Sequence, residues 1–147
     1  MNPALDALLT RTDAVMQGAY EPTSSYDSID GKVYAGVDLV TAYPVLVFWD
    51  AEKKPIAGDF QFLQVVRDGL VVGFDGAIQL VRQMKAKVEA RLGFELVSAA
   101  SGYPPGVPRA EVRATGYVLE AAGLNCTGLI DEPSAANSPS FSLWCVR

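Results

Sequence analysis

Apolar residues recur along this 147-residue chain with two different periods, and the switches between them predict the order of its elements. Residues 4–17, ALDALLTRTDAVMQ, set Leu5, Leu8, Leu9 and Met16 near helical spacing, and Pro3 suits a first helical turn. Gly18–Gly31 then collects Gly, Pro, Ser, Thr and Asp. Residues 1–31 therefore read as a helix and linker, a loosely attached appendage to a compact domain that begins near Lys32. From there Lys32–Asp50 is two β-rich runs around a short polar turn. Tyr34, Val37, Val45, Val47 and Phe48 are β-branched or aromatic, in a run apolar enough for strands buried on both faces. A third strand is expected within Ile56–Val66, carrying Phe60, Phe62, Val65 and Val66. After the Arg67-Asp68-Gly69 turn, LVVGF is placed to pair briefly with it.

The period then changes to 3.6. Beyond Asp75, the residues Ala77, Val81, Met84, Val88 and Leu92 share one helical face, Arg82, Lys85 and Glu89 occupy the other, and Gly93 supplies a stop. Phe94–Ser101 reads as a fourth strand, closed by Gly-Tyr-Pro-Pro-Gly, whose prolines forbid continuation. Pro108 and Gly123 bracket a second helix with Val112, Thr115, Leu119 and Ala122 at helical spacing. Cys126–Ile130 is a fifth strand, and Pro133 fits the first position of a short helix that Pro139 would end. The expected domain, residues 32–137, is α/β. It has a five-stranded mixed sheet βββαβαβ in the order 3-2-1-4-5, with helices packed on it. Residues 138–147 read as a divergent tail that contributes little to folding.

Composition narrows the function classes. The net charge is −5 and the bases do not form a tract, so the electrostatic footprint of a nucleic-acid binder is missing. There is no histidine, which removes zincin sites and every histidine-dependent triad. Cys126 and Cys145 are expected as two buried thiols and not as a disulfide. No apolar run approaches the ~18 residues of a membrane span, and Asp6 and Asp13 sit where a secretory signal would be basic or apolar. A cytoplasmic protein is the expectation.

Three turns carry the candidate chemistry. Asp38 ends the first strand beside Thr41, the Pro-Pro-Gly turn follows the fourth strand, and Glu132 follows the fifth. In a sheet of this order the functional crevice lies at the carboxyl ends of the parallel strands, so the three turns share one edge. A carboxylate there can meet phosphate-bound magnesium through water, while a hydroxyl and turn amides meet phosphate oxygens. The plain alternative is that Asp38 and Thr41 are ordinary turn residues.

Four segments in order, AGVDLVTAY, VVRDGLVVGFDGAIQLVRQMK, SAASGYPPG and VLEAAGLNCTGLIDEPSAA, resemble the N-terminal half of the actin and DnaK-type ATPase superfamily, over about residues 33–137. Within it they are most similar to the chaperone-like proteins of ethanolamine-utilisation systems. The resemblance implies an RNase H-like subdomain that forms one wall of a nucleotide cleft. It also implies Mg-ATP as cofactor, with Asp38 near magnesium, Thr41 on phosphate, and Glu132 placing magnesium or the attacking water. Asp38 and Glu132 are thus the expected catalytic and water-mediated metal positions. The family pattern reads Asp-x-Gly-Thr where this chain has Asp38-Leu39-Val40-Thr41. Glycine there gives turn dihedrals that cost a β-branched residue about 1–3 kcal/mol.

Three functions follow as expectations. The first is a chaperone-like or reactivating protein of an ethanolamine-utilisation system, truncated before the second phosphate loop and catalytically incomplete. Its partners would be a protein client or ethanolamine-utilisation enzymes, with self-association through an exposed cleft face and no nucleic-acid or membrane partner. The second is a non-catalytic interaction module that keeps the subdomain fold and exposes an apolar patch on its cleft side. The third is a two-metal nuclease using Asp38, Glu132 and further carboxylates.

Overall fold

The computed structural model describes residues 3–17, 33–39, 44–61, 73–137 and 145–146. Within them the chain runs α1 (Pro3–Met16), β1 (Val33–Asp38), β2 (Val45–Trp49), β3 (Pro55–Phe60) and α2 (Phe74–Leu92). It continues through β4 (Ser98–Tyr103), α3 (Arg109–Ala121), β5 (Asn125–Asp131), α4 (Glu132–Asn137) and β6 (Cys145–Val146). The sheet has the expected order β3-β2-β1-β4-β5. β1–β2 and β2–β3 are antiparallel hairpins, while β1–β4 and β4–β5 are parallel and joined by helical crossovers.

Register sorts the side chains onto two faces. Ala35 pairs with Phe48 and Phe48 with Ala57, while Val37 pairs with Leu46 and Leu46 with Asp59, so these residues lie on one face. The expected stripe of α2 packs here: Val81, Met84 and Val88 are fully buried, and Leu119 of α3 joins them in one core with Phe48 and Leu46. Gly93 ends α2 in the left-handed conformation (φ 77°), its amide donating to the Glu89 carbonyl at 2.8 Å. The fourth strand starts at Ser98, four residues later than expected. The reason is local: the Leu96 amide donates to the Glu89 carboxylate at 2.8 Å, tying residues 93–97 back to the helix before the chain joins the sheet.

Asp59 was hidden in the sequence inside an apolar strand, and it is 7% exposed. Lys87 Nζ lies 3.3 Å from its carboxylate, Arg91 Nη2 3.8 Å, and the Gln61 side-chain amide donates to it at 2.9 Å. Arg91 also donates to the Gly58 carbonyl at 2.6 Å. These contacts tie α2 to β3.

The expected loose appendage is instead docked. On the second face, which carries Gly36, Val47 and Gly58 in one row across β1, β2 and β3, Met16 Sδ occupies the space a Cβ at Gly58 would need. Val15 is buried, and Arg11 Nε donates to the Pro55 carbonyl at 3.1 Å. The apolar stripe of α1 continues past the sheet, leaving Leu8 and Leu9 exposed. Val15→Ala is therefore expected to lower stability by about 1–3 kcal/mol in urea unfolding, and Leu9→Ala by less than about 0.5 kcal/mol. Equal losses would show that α1 is not held through Val15.

The expected idle tail also needs a correction. Cys145 and Val146 pair antiparallel with Tyr34 and Val33, so part of residues 138–147 belongs to the sheet. Phe62, Val65, Val66 and the LVVGF run lie outside the described residues, as do the 18–31 linker and Pro139.

Candidate functional site

β1, β4 and β5 point the same way, so Asp38, Tyr103 and Asp131 end at one edge of the sheet. A buried hydroxyl locks that alignment: Ser101 Oγ, with no solvent exposure, donates to the Val37 carbonyl at 2.8 Å across the β1–β4 seam. A donor at this position holds a strand-end carbonyl that would otherwise be buried with an unmet lone pair.

Chain direction at the next turn is set by Asp131. Its carboxylate accepts the Ser134 amide at 3.0 Å, satisfying one open donor of the first turn of α4. Hydrogen bonds from the Ser134 side chain and amide hold the Asp131 carboxyl below the usual carboxylate range. The cap places Glu132 over β4, with its Cγ 3.6 Å from the position a Cβ at Gly102 would take.

Asp38 and Glu132 are brought together: both line one pocket of about 190 Å³. The rest of the lining comes from Gly36, Val37, Gly102 and the three residues of β2 that share a face, Val45, Val47 and Trp49. The walls are almost wholly carbon. The sequence reading missed this wall because it took β2 as uniformly buried, whereas Val45 and Trp49 are only half-buried. All five residues of this strand, VLVFW, are apolar, so nothing in its own pattern marked the wall. Thr41 and Val40 lie outside the described residues, so the structure places two of the three expected site residues.

The donor set fits part of the expected ligand. Two acidic residues on one pocket are the donor type that a hard divalent cation takes through water. Among the described residues no group of three or more Cys, Asp or Glu is placed to hold a metal directly, which leaves the two-metal nuclease without its ligands there. The interior does not suit phosphate, because charged oxygens against carbon walls lose hydration without replacement. At about 190 Å³ it is also below the roughly 300–1,000 Å³ of pockets that enclose drug-sized ligands. Cys126 is a free, half-buried thiol whose pKa burial pushes up, and it takes no part in the rim.

No established protein-family profile matches the chain. It is 39% identical over 107 residues to the ethanolamine utilization protein EutJ of Salmonella typhimurium, and 36% identical over the same length to EutJ of Escherichia coli. Each match takes in 72% of this chain and 37% of the relative. The crystal structure of EutJ from Carboxydothermus hydrogenoformans superimposes with a TM-score of 0.76 at 41% identity, over 90% of this chain and 47% of that one. This chain is homologous to part of EutJ. The chain thus spans well under half of the two sequence relatives and about half of the crystallised one. The EutJ match carries the actin-like ATPase fold with it, and the sheet order and crossovers described above are that fold's half. Among the described residues no helix is long and apolar enough to cross a membrane.

Proposed function

We propose that this chain serves an ethanolamine-utilisation system as a chaperone-like or reactivating component built on the actin and DnaK-type fold. In this reading the rim of Asp38 and Glu132 is the magnesium side of a nucleotide site. The observation that carries it is that Asp38 and Glu132 line one pocket, at the carboxyl ends of β1 and β5. The homology to EutJ supports the system assignment, and the relatives' greater length is consistent with a cleft whose other wall lies in residues this chain does not match. Magnesium bound there would supply charge neutralisation for phosphate. The chain's own part is to orient it, Asp38 from the end of β1 and Glu132 from the capped start of α4.

Because the pocket interior is apolar and small, the chain alone is expected to bind Mg·ATP weakly at most and to hydrolyse none above background. Calorimetry with and without magnesium tests this. Micromolar ATP affinity abolished by Asp38→Ala would show a complete working site in this chain. Val40→Gly is expected to raise phosphate affinity by freeing the turn dihedrals, and no gain would remove Val40 as the obstacle. The carbon-lined pocket specifically favours a second reading, an interaction module that keeps the subdomain fold.

A further inference from the structure

β5 is the outermost strand at one end of the sheet. One edge of its seven residues pairs with β4, and among the described residues nothing pairs with the other. Sheets guard such an edge with proline, lysine or cover. This strand, Asn-Cys-Thr-Gly-Leu-Ile-Asp, has no proline and no base, and its single charge, Asp131, stands at its end, where it caps α4. α3 lies over the strand, and Gly116 lets it come close: a Cβ there would sit 3.4 Å from Leu129 Cδ1 and 3.6 Å from Cys126 Sγ. Beside Gly116, Arg113, Tyr117 and Glu120 recur at i, i+4 and i+7 on one flank of the helix, and all three are exposed. Burial pushes the Cys126 thiol up, and the Glu120 carboxylate adds to that, which places this flank on the β5 side. Arg113 and Glu120 are two turns, about 10.5 Å, apart along the axis, too far to pair with each other within one copy.

We infer that β5 and this flank of α3 form a two-fold interface with a second copy of the chain, the two β5 strands pairing antiparallel about Gly128 and the two α3 helices lying side by side. The register is self-complementary: Asn125 faces Asp131 of the second copy, an amide opposite a carboxylate, and Thr127 faces Leu129. Because Gly116 sits over the middle of β5, the same axis passes near Gly116 and Tyr117 and sets Arg113 of each copy opposite Glu120 of the other. The spacing fits as well. α3 touches both β4 and β5, and a helix axis midway between them lies about 4.8 Å from the two-fold line, so the two helices come about 10 Å apart, within packing distance. A bulge at Thr127, the residue that the β4 pairing skips, twists this edge, and a copy related by two-fold symmetry carries the same twist. An unrelated strand would share neither that twist nor the two opposite-charge pairs. The interface does not depend on the nucleotide reading.

Sedimentation equilibrium of the chain, from micromolar to near-millimolar concentration, tests this. One strand pair and one helix contact make a small interface, so a weak dimer is expected, with a Kd on the order of tens of micromolar. Arg113→Glu and Glu120→Arg, both at exposed positions, each turn two attractive contacts into two repulsive ones and should raise the Kd about tenfold. An equimolar mixture of the two variants has two attractive contacts again, and should associate about as tightly as the unmodified chain. Thr127→Lys, also at an exposed position, puts a base on the pairing edge and should weaken the dimer to a similar degree. Far-UV circular dichroism checks that each variant is folded, and if Thr127→Lys disturbs β5 itself, the mixture decides alone. A chain that stays monomeric to near-millimolar concentration, a dimer that a folded Thr127→Lys leaves unchanged, or a mixture no tighter than its single variants overturns the inference.

Discussion

Phe48→Ala is expected to lower the unfolding free energy by about 3–5 kcal/mol, the range for removing a buried aromatic from a core. Phe48 has no solvent exposure and lies mid-strand in β2, between Ala35 of β1 and Ala57 of β3. Both cross-strand neighbours are alanines, too small to close the vacancy, and the strands on each side prevent the backbone from collapsing into it. Against a typical total stability of about 5–15 kcal/mol, such a loss is close to unfolding the domain. Urea denaturation followed by far-UV circular dichroism measures it. A loss under about 1.5 kcal/mol would mean that the core under β2 is loosely packed, contrary to the burial seen here.

The second large effect is asymmetric. Replacing both Lys87 and Arg91 by alanine is expected to cost about 3–5 kcal/mol, because the Asp59 side chain, 9% exposed in the intact protein, would lose both cations and keep the Gln61 amide as its partner among the described residues. Removing the carboxylate instead leaves two cations that are 50% and 37% exposed and can be hydrated where they stand. Asp59→Asn alone should therefore be much milder. Added to the double variant, it should recover most of the lost stability. If Asp59→Asn fails to rescue, the cost arises from lost packing of the two long side chains or from the freed Gly58 carbonyl, and not from a stranded charge.

How much of this was legible beforehand depended on the range of the signal. The order of elements came from local periodicity: the stripe from Ala77 to Leu92 is a helix face wherever it is placed, and Gly93 ends it by its own dihedral freedom. Sheet order followed as well, since short connections force hairpins and a helix between strands forces a right-handed crossover. The edge shared by Asp38 and Glu132 was a consequence of that topology, so these two residues could be named without coordinates. What α1 does was not legible, because its stripe of Leu5, Leu8, Leu9 and Met16 looks the same whether the helix is free or docked. Its place was decided by Gly58, a vacancy on another element that admits Met16.

The same limit explains the pocket and the buried ion pairs. By itself the chain determined its helices, the five strands from β1 to β5, their order and the carboxylates at strand ends, all of which depend on neighbours within a few residues. Only the tertiary structure decided that Asp59 would be buried, since its partners Lys87 and Arg91 come from a helix more than 25 residues away along the chain. It also decided that Val45, Val47 and Trp49 would be a ligand wall and not a second core face. Burial on that side of β2 depends on what covers it, and cover is a property of three-dimensional packing that a strand's own alternation does not encode.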